Sequence, residues 1–234
     1  MFGLNFGATS SSGATGAYNF GNYIQTDGVN DEGLMASRHT ISGSDFVLSF
    51  WIKQASGGNT TNIVCQSQLN AGYIYVRHGS NPNIRLQMSG LSASRQDWNS
   101  ITWNDNLWHH VYFYSDGTDV KLAFDGIDKG DGGSSQAYSS FEIYSLFYRT
   151  SGSPFYAQLG LDDFIFTQTT GSLTQAQSLY NSGAGENPVT VIGSTPDIWY
   201  KFNVTDGTTT IPNSGSAGSN DLILSNFVTP YIFP

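Results

Sequence analysis

Carboxylates are the side chains of this chain best suited to chemistry, and their spacing limits what that chemistry can be. Retaining glycoside hydrolysis needs two carboxyl groups about 5–5.5 Å apart. On a strand that means acidic residues two or four positions apart, because alternate residues share a face. The chain has only three glutamates, Glu32, Glu142 and Glu186, and none has an acidic partner at such a spacing. Asp162 and Asp163 are adjacent, so on a strand they point to opposite faces and cannot act as a dyad. The spacing therefore predicts a protein that is not an enzyme of this type.

The histidines offer little more. His109 and His110 are neighbours, and His39 and His78 lack the spacing of metal ligands. A histidine hydrogen-bonding where a strand begins, beside a packed Trp108, is the simpler reading. Tyr73, Tyr75, Trp98, Trp103 and Tyr138 are amphipathic rings able to stack on sugars. Trp98 and Trp103 sit in a polar, turn-rich segment, which predicts exposure and marks them as the glycan-binding candidates. Against this, aromatic side chains in a sandwich more often fill the core or an interface.

The elements that would position these residues are strands. From Trp108 to Gly126, WHHVYFYSDGTDVKLAFDG, apolar and polar residues alternate on both sides of an Asp-Gly pair, a strong hairpin signal. Val111, Phe113, Val120, Leu122 and Phe124 are expected to face inward. Phe46 to Ile52 is a nearly continuous apolar run suited to a central core strand. Further strands are expected over Tyr18–Thr26, Asn62–Ser67, Tyr73–Arg77, Ile84–Met88, Glu142–Tyr148, Ala157–Phe166, Ile198–Phe202 and Leu222–Leu224. Short strands at this spacing fit a sandwich or barrel. One helix is expected: Ser172 caps it, Gln175 completes a capping box and Gly183 ends it. Met1–Phe6 reads as a short strand, and residues 8–17, rich in Ser, Gly, Ala and Thr, as a flexible N-terminal arm or loop. No repeat or linker separates two cores, so residues 1–234 are expected to form a single domain.

Composition narrows the partners. Charged residues are 12% of the chain, against about 25% in ordinary domains. A net charge of -9 with nine Lys and Arg argues against nucleic-acid binding, which needs a basic surface. No apolar run approaches the ~20 residues that span a bilayer, so membrane insertion is not expected. No leader-like segment opens the sequence; with Met1 as the native start, synthesis without classical export is expected. The lone Cys65 lies in an apolar run and is expected to be a buried thiol.

The order FVLSFWIK, then WHHVYFYSDGTDVKLAFDG, then LGLDDFIFTQTTGSLTQAQSLYNSG resembles the concanavalin A-like lectin/glucanase superfamily, in particular its laminin-G-like jelly rolls. The matching positions are Ser49–Lys53, Trp108–Val111, Asp125-Gly126, Leu161-Asp162-Asp163, and Leu173-Thr174 with Leu179-Tyr180. Asp27-Gly28-Val29-Asn30-Asp31 is similar to an early DG-x-N-D element of the family, with Glu32 in place of the usual aromatic. The resemblance implies an all-β, two-sheet antiparallel jelly-roll sandwich with one short helix. Relatives bind calcium near these elements, and hard oxygen donors suit that ion. The implied calcium ligands are Asp31 and one of Asp162 and Asp163, with Asp27 or Asn30.

The glucanases of the superfamily carry an E-x-D-x-(x)-E motif that this chain lacks. The C-terminal stretch around Asp197–Phe202 and Ile211–Leu222 resembles an element placed first in many such domains. Placed last, it is similar to modules in structural proteins of tailed phages. The resemblance implies a non-enzymatic virion structural protein, a capsid decoration, fibre or knob module. It would sit on the virion surface among other virion proteins or copies of itself, with host glycans as further partners. The alternative is a secreted carbohydrate-binding or adhesion module.

Overall fold

The hairpin expected around Asp116-Gly117 forms. Its strands pair antiparallel with Val111 opposite Phe124 and Phe113 opposite Leu122. All five residues expected to face inward lie in the main hydrophobic core. The computed structural model describes residues 21–43, 45–54, 57–67, 72–78, 82–87, 95–115, 119–132, 140–149 and 155–234. The segment 8–17, the strand expected over Met1–Phe6, the hairpin turn and Tyr138 lie outside the described residues.

In chain order the strands are β1 Tyr23–Gln25, β2 Glu32–Ser42, β3 Val47–Lys53, β4 Thr61–Gln66, β5 Tyr73–Arg77 and β6 Asn83–Gln87. They continue with β7 Arg95–Asn99, β8 His109–Ser115, β9 Val120–Phe124, β10 Ile127–Asp128, β11 Ser140–Leu146 and β12 Tyr148–Arg149. The last are β13 Phe155–Tyr156, β14 Gly160–Thr167, β15 Ile198–Tyr200, β16 Thr210–Ile211, β17 Leu222–Ser225 and β18 Ile232–Phe233. Sheet A runs β10-β9-β8-β3-β14-β1-β18, with β15 also on β14; sheet B runs β16-β17-β2-β11-β4-β5-β6-β7. β12 and β13 form a separate pair.

β3 is the apolar run read as the central strand, and it lies between β8 and β14. Its inward residues Leu48, Phe50 and Ile52 meet Ile74, Val76, Ile84 and Leu86 of sheet B in one core. Burying such side chains contributes about 1.5–3 kcal/mol each. Cys65 is fully buried there, and burial pushes its thiol well above its usual range.

The helix α1 spans Leu173–Tyr180, and Ser172 Oγ accepts from Gln175 N as the capping box requires. It ends at Asn181, whose φ of 43° is left-handed, two residues before the glycine expected to stop it. A second helix, α2 Pro188–Ile192, was not expected; Asn187 caps it and proline occupies its first turn. Five residues are too few to show an apolar period. α1 lies over the outer face of sheet A, where Tyr180 stacks on Trp51 at 5.9 Å between ring centres.

Candidate functional site

Outside the core, sheet A is covered by α1 at one end and, among the described residues, left open at the other. Under the helix, alternation sends Ser49 and Trp51 outward from β3 and His110 outward from β8. Ser49 Oγ lies 2.8 Å from His110 Nε2, and the rings of Trp51 and His110 pack 4.9 Å apart. Burial pushes the His110 pKa down to about 3, against the opposing charge of Asp125, so the ring is neutral. Beside them β14 bulges between Asp162 and Ile165, with Asp163 left-handed at φ 44°. Asp162 Oδ1 accepts from Asp163 N, and Asp163 Oδ1 accepts from Trp199 Nε1 at 2.8 Å. Burial first, and then the charge of Asp163, hold the Asp162 carboxyl well above its usual range.

At the open end, β1 presents Tyr23, β3 presents Lys53 and β18 presents Phe233, with Trp108 just before β8. Tyr23 meets Trp108 edge-on at 5.0 Å and stacks on Phe233 at 5.6 Å. Lys53 Nζ lies 5.9 Å from the ring centres of both Tyr23 and Trp108. All four side chains are half-buried. Gly160 lies beneath them: an added Cβ would come within 3.3 Å of Trp108 Cη2 and Tyr23 Cδ2. Its missing side chain lets the two rings meet. The result is an aromatic shelf with a cation at its rim, suited to stacking and cation–π contact.

The calcium candidates separate into two places. Asp31 is 2% exposed; its Oδ2 accepts from Asp27 N at 2.7 Å, and its buried Oδ1 has no partner. Burial raises the Asp31 pKa to about 6, and the nearby Asp27 charge adds to this against the Asp27 N–H. An orphaned carboxylate oxygen beside a second carboxylate suits a hard cation. Asp162 and Asp163 do not join them. Among the described residues no three His, Cys, Asp or Glu side chains converge as a metal-binding group.

The glycan candidates Trp98 and Trp103 require a correction, because neither ring is exposed. Trp98 lies on β7, is 3% exposed, packs on Phe113 at 5.4 Å and donates from Nε1 to Gly130 O. Trp103 is fully buried and donates to Arg77 O. The polar residues between them face solvent or bond to loops, while both indoles point into the sandwich. Tyr73 and Tyr75 stack on each other at 5.8 Å on the outer face of sheet B, with Arg149 over Tyr73 and Arg85 over Tyr75, each at 4.6 Å.

The shelf was not expected from the sequence. Its signal was the alternation in Tyr23-Ile24 and Ile52-Lys53, which sends Tyr23 and Lys53 outward together.

Two packed antiparallel sheets with a helix over one outer face define a lectin-like jelly roll. The chain belongs to the concanavalin A-like lectin/glucanases superfamily, whose laminin-G family model matches residues 27–161, more than half of it. A heptameric pentraxin from Limulus polyphemus superposes with a TM-score of 0.52 at 15% identity, over 70% of this chain and 84% of the pentraxin. A candidate carbohydrate-binding protein from Bacteroides ovatus superposes with a TM-score of 0.56 at 13% identity, over 88% of this chain and 59% of that one. A search of curated proteins finds no match. At such identities the likeness concerns the fold.

Proposed function

We propose that this jelly roll is a non-catalytic carbohydrate-recognition module that binds glycans on the Tyr23–Trp108–Phe233 shelf. The observation that carries the reading is three half-buried rings gathered about Tyr23, with Gly160 beneath Tyr23 and Trp108 and with Lys53 at their edge. Sugar rings present C–H faces to such a surface and hydroxyls to its rim. The carboxylates nearest the sheet centre are already engaged, Asp162 by Asp163 N and Asp163 by Trp199, which supports recognition without hydrolysis. The test is a glycan array with the full chain, in which Trp108→Ala and Tyr23→Ala each weaken binding at least tenfold. Absence of reproducible binding to any glycan would overturn the reading.

A calcium ion on Asp31 and Asp27 belongs to the same proposal; the ion would neutralise the two carboxylates and fix the turn between β1 and β2.

A second reading places the module on a virion surface, among other virion proteins or copies of itself. It is favoured by the C-terminal order, in which Ile198–Tyr200 pairs with β14 and the following strands close both sheets. Electron microscopy of a phage encoding the chain tests it: density for the fold on capsid or tail supports it, and a secreted free protein overturns it in favour of an adhesion module. No helix among the described residues is long and apolar enough to cross a membrane.

A further inference from the structure

The outer face of sheet B holds a second constellation, built on strands remote from the shelf. Two rows cross it at fixed register. Arg77 stands opposite Thr61 and Asn83, Tyr75 opposite Ile63 and Arg85, and Arg85 opposite Asp97. Arg85 is paired with a carboxylate, since Nε and Nη2 fork onto Asp97 at 2.5 and 3.1 Å. The side chains of this pair are 12% and 18% exposed, so solvent reaches the face.

Around that pair three groups have unmet capacity. Arg77 spends only Nε, donating to Thr61 Oγ1 at 3.3 Å, while its guanidinium lies 5.4 Å from the Tyr75 ring centre. The Tyr75 hydroxyl is buried without a hydrogen-bond partner, and so is Asn83 Oδ1. These residues are only 4% and 5% exposed, where a polar atom left without a partner is destabilising. The Asn83 amide cannot simply turn over to hide its oxygen, because Nδ2 donates to Asp97 Oδ1 at 3.3 Å.

We propose that this face of β5, β6 and β7 binds an acidic saccharide, a sugar carrying a carboxylate next to free hydroxyls. Each unmet group selects one feature of that ligand. The two terminal nitrogens of Arg77 match a carboxylate in a fork, the geometry guanidinium groups favour. As the Arg77 guanidinium turns from the Tyr75 ring to the carboxylate, Asn83 Oδ1 accepts from a sugar hydroxyl, and the Tyr75 hydroxyl donates to a ring or hydroxyl oxygen. A heavily sulfated sugar, with few hydroxyls left to donate, leaves Asn83 Oδ1 unmet. A neutral sugar leaves Arg77 unpaired. In a chain of net charge -9 the guanidinium groups here give an anion a local foothold.

The inference shares with the proposed function only the premise that saccharides are the ligands, and it stands on different residues. Affinity electrophoresis of the full chain through gels containing polygalacturonate, dextran sulfate or dextran tests it. Polygalacturonate is expected to retard the chain. Arg77→Gln and Tyr75→Phe should each weaken that retardation at least tenfold while melting at or above the wild-type temperature, and Trp108→Ala should leave it unchanged. Equal retardation by dextran sulfate, or retention of polygalacturonate by both variants, overturns the inference. Failure on polygalacturonate with Trp108-dependent binding on the glycan array overturns this site and leaves the shelf standing.

Discussion

His109 Nδ1 lies 2.8 Å from Asp125 Oδ2, and its Nε2 reaches Asp105 Oδ1 at 3.0 Å. One imidazole thus ties the loop before β8 to the turn after β9, while Asp125 Oδ1 also accepts from His110 N. Burial opposes the charge, but the hydrogen bonds to Asp125 and Asp105 prevail and raise the His109 pKa. The folded pKa lies above the unfolded one, so this stabilisation is present below about pH 6.5 and is lost as pH rises through the folded value. Asp105 is 42% exposed at its side chain, so its share is a few tenths of a kcal/mol after screening. His109→Gln is expected to lower stability by about 1–2 kcal/mol near pH 5.5 and by less at pH 9. Urea unfolding at the two pH values measures the difference, and equal losses would show that the charge plays no part.

Trp98→Ala and Trp103→Ala should each destabilise by about 3–5 kcal/mol, as cavities in a packed core do. Under conditions where the variants remain folded, glycan binding should match the wild type. Thermal melts and the glycan array read the two effects separately.

Asp31 leads to a calcium prediction with a defined sign. Its folded pKa of about 6 exceeds the ordinary value of 3.8, so without metal its contribution is largest below pH 4 and is lost as pH rises through 6. Calcium at pH 7.5 should raise the melting temperature and a chelator should reverse this. Asp31→Asn should abolish the response and, with chelator present, be about 1 kcal/mol more stable than the wild type, because its amide can donate towards Asp27. A melting temperature indifferent to calcium in both proteins would remove the ion from the proposal.

The Ser49–His110 pair predicts acid sensitivity. The His110 pKa falls from 6.5 to about 3 on folding, so its stabilisation is present above pH 6.5 and is lost as pH falls towards 3. Ser49→Ala should cost about 1–3 kcal/mol by stranding His110 Nε2. His110→Phe should flatten the acid limb of the urea midpoint plotted against pH; an unchanged limb would assign that limb to other groups.

The strands with clean alternation were legible in the sequence. Tyr73–Arg77 matches β5 at both ends, and the hairpin strands and the Ser172 cap lie where the residues placed them. β2 was not legible, because Ala36, Ser37 and Arg38 in its middle are all exposed and its buried residues Gly33, Met35 and Ile41 do not form an apolar run. β7 was hidden for a related reason. Arg95-Gln96-Asp97-Trp98-Asn99 looks like a loop, yet it pairs along the whole of β6 and buries Gln96 as well as Trp98. Tertiary pairing overrode local composition there. The outward row Tyr73, Tyr75 and Arg77 could be read from alternation alone, but its unmet hydrogen bonds depend on cross-strand register. The shelf unites Tyr23, Lys53, Trp108 and Phe233, four segments that no local pattern links.

β17 pairs with β2, Leu34 opposite Ile223, and β18 pairs with β1, Ile24 opposite Ile232. Each sheet therefore has an early strand one of whose two partners lies about two hundred residues further along the chain. On the ribosome β1 can pair with β14 and β2 with β11, but the other edge of each waits until residues 222–233 have left the exit tunnel. Pairings this distant in sequence form slowly, and open strand edges invite association with other chains. Translation thus gives this sandwich a period in which two strand edges stay exposed until β17 and β18 emerge.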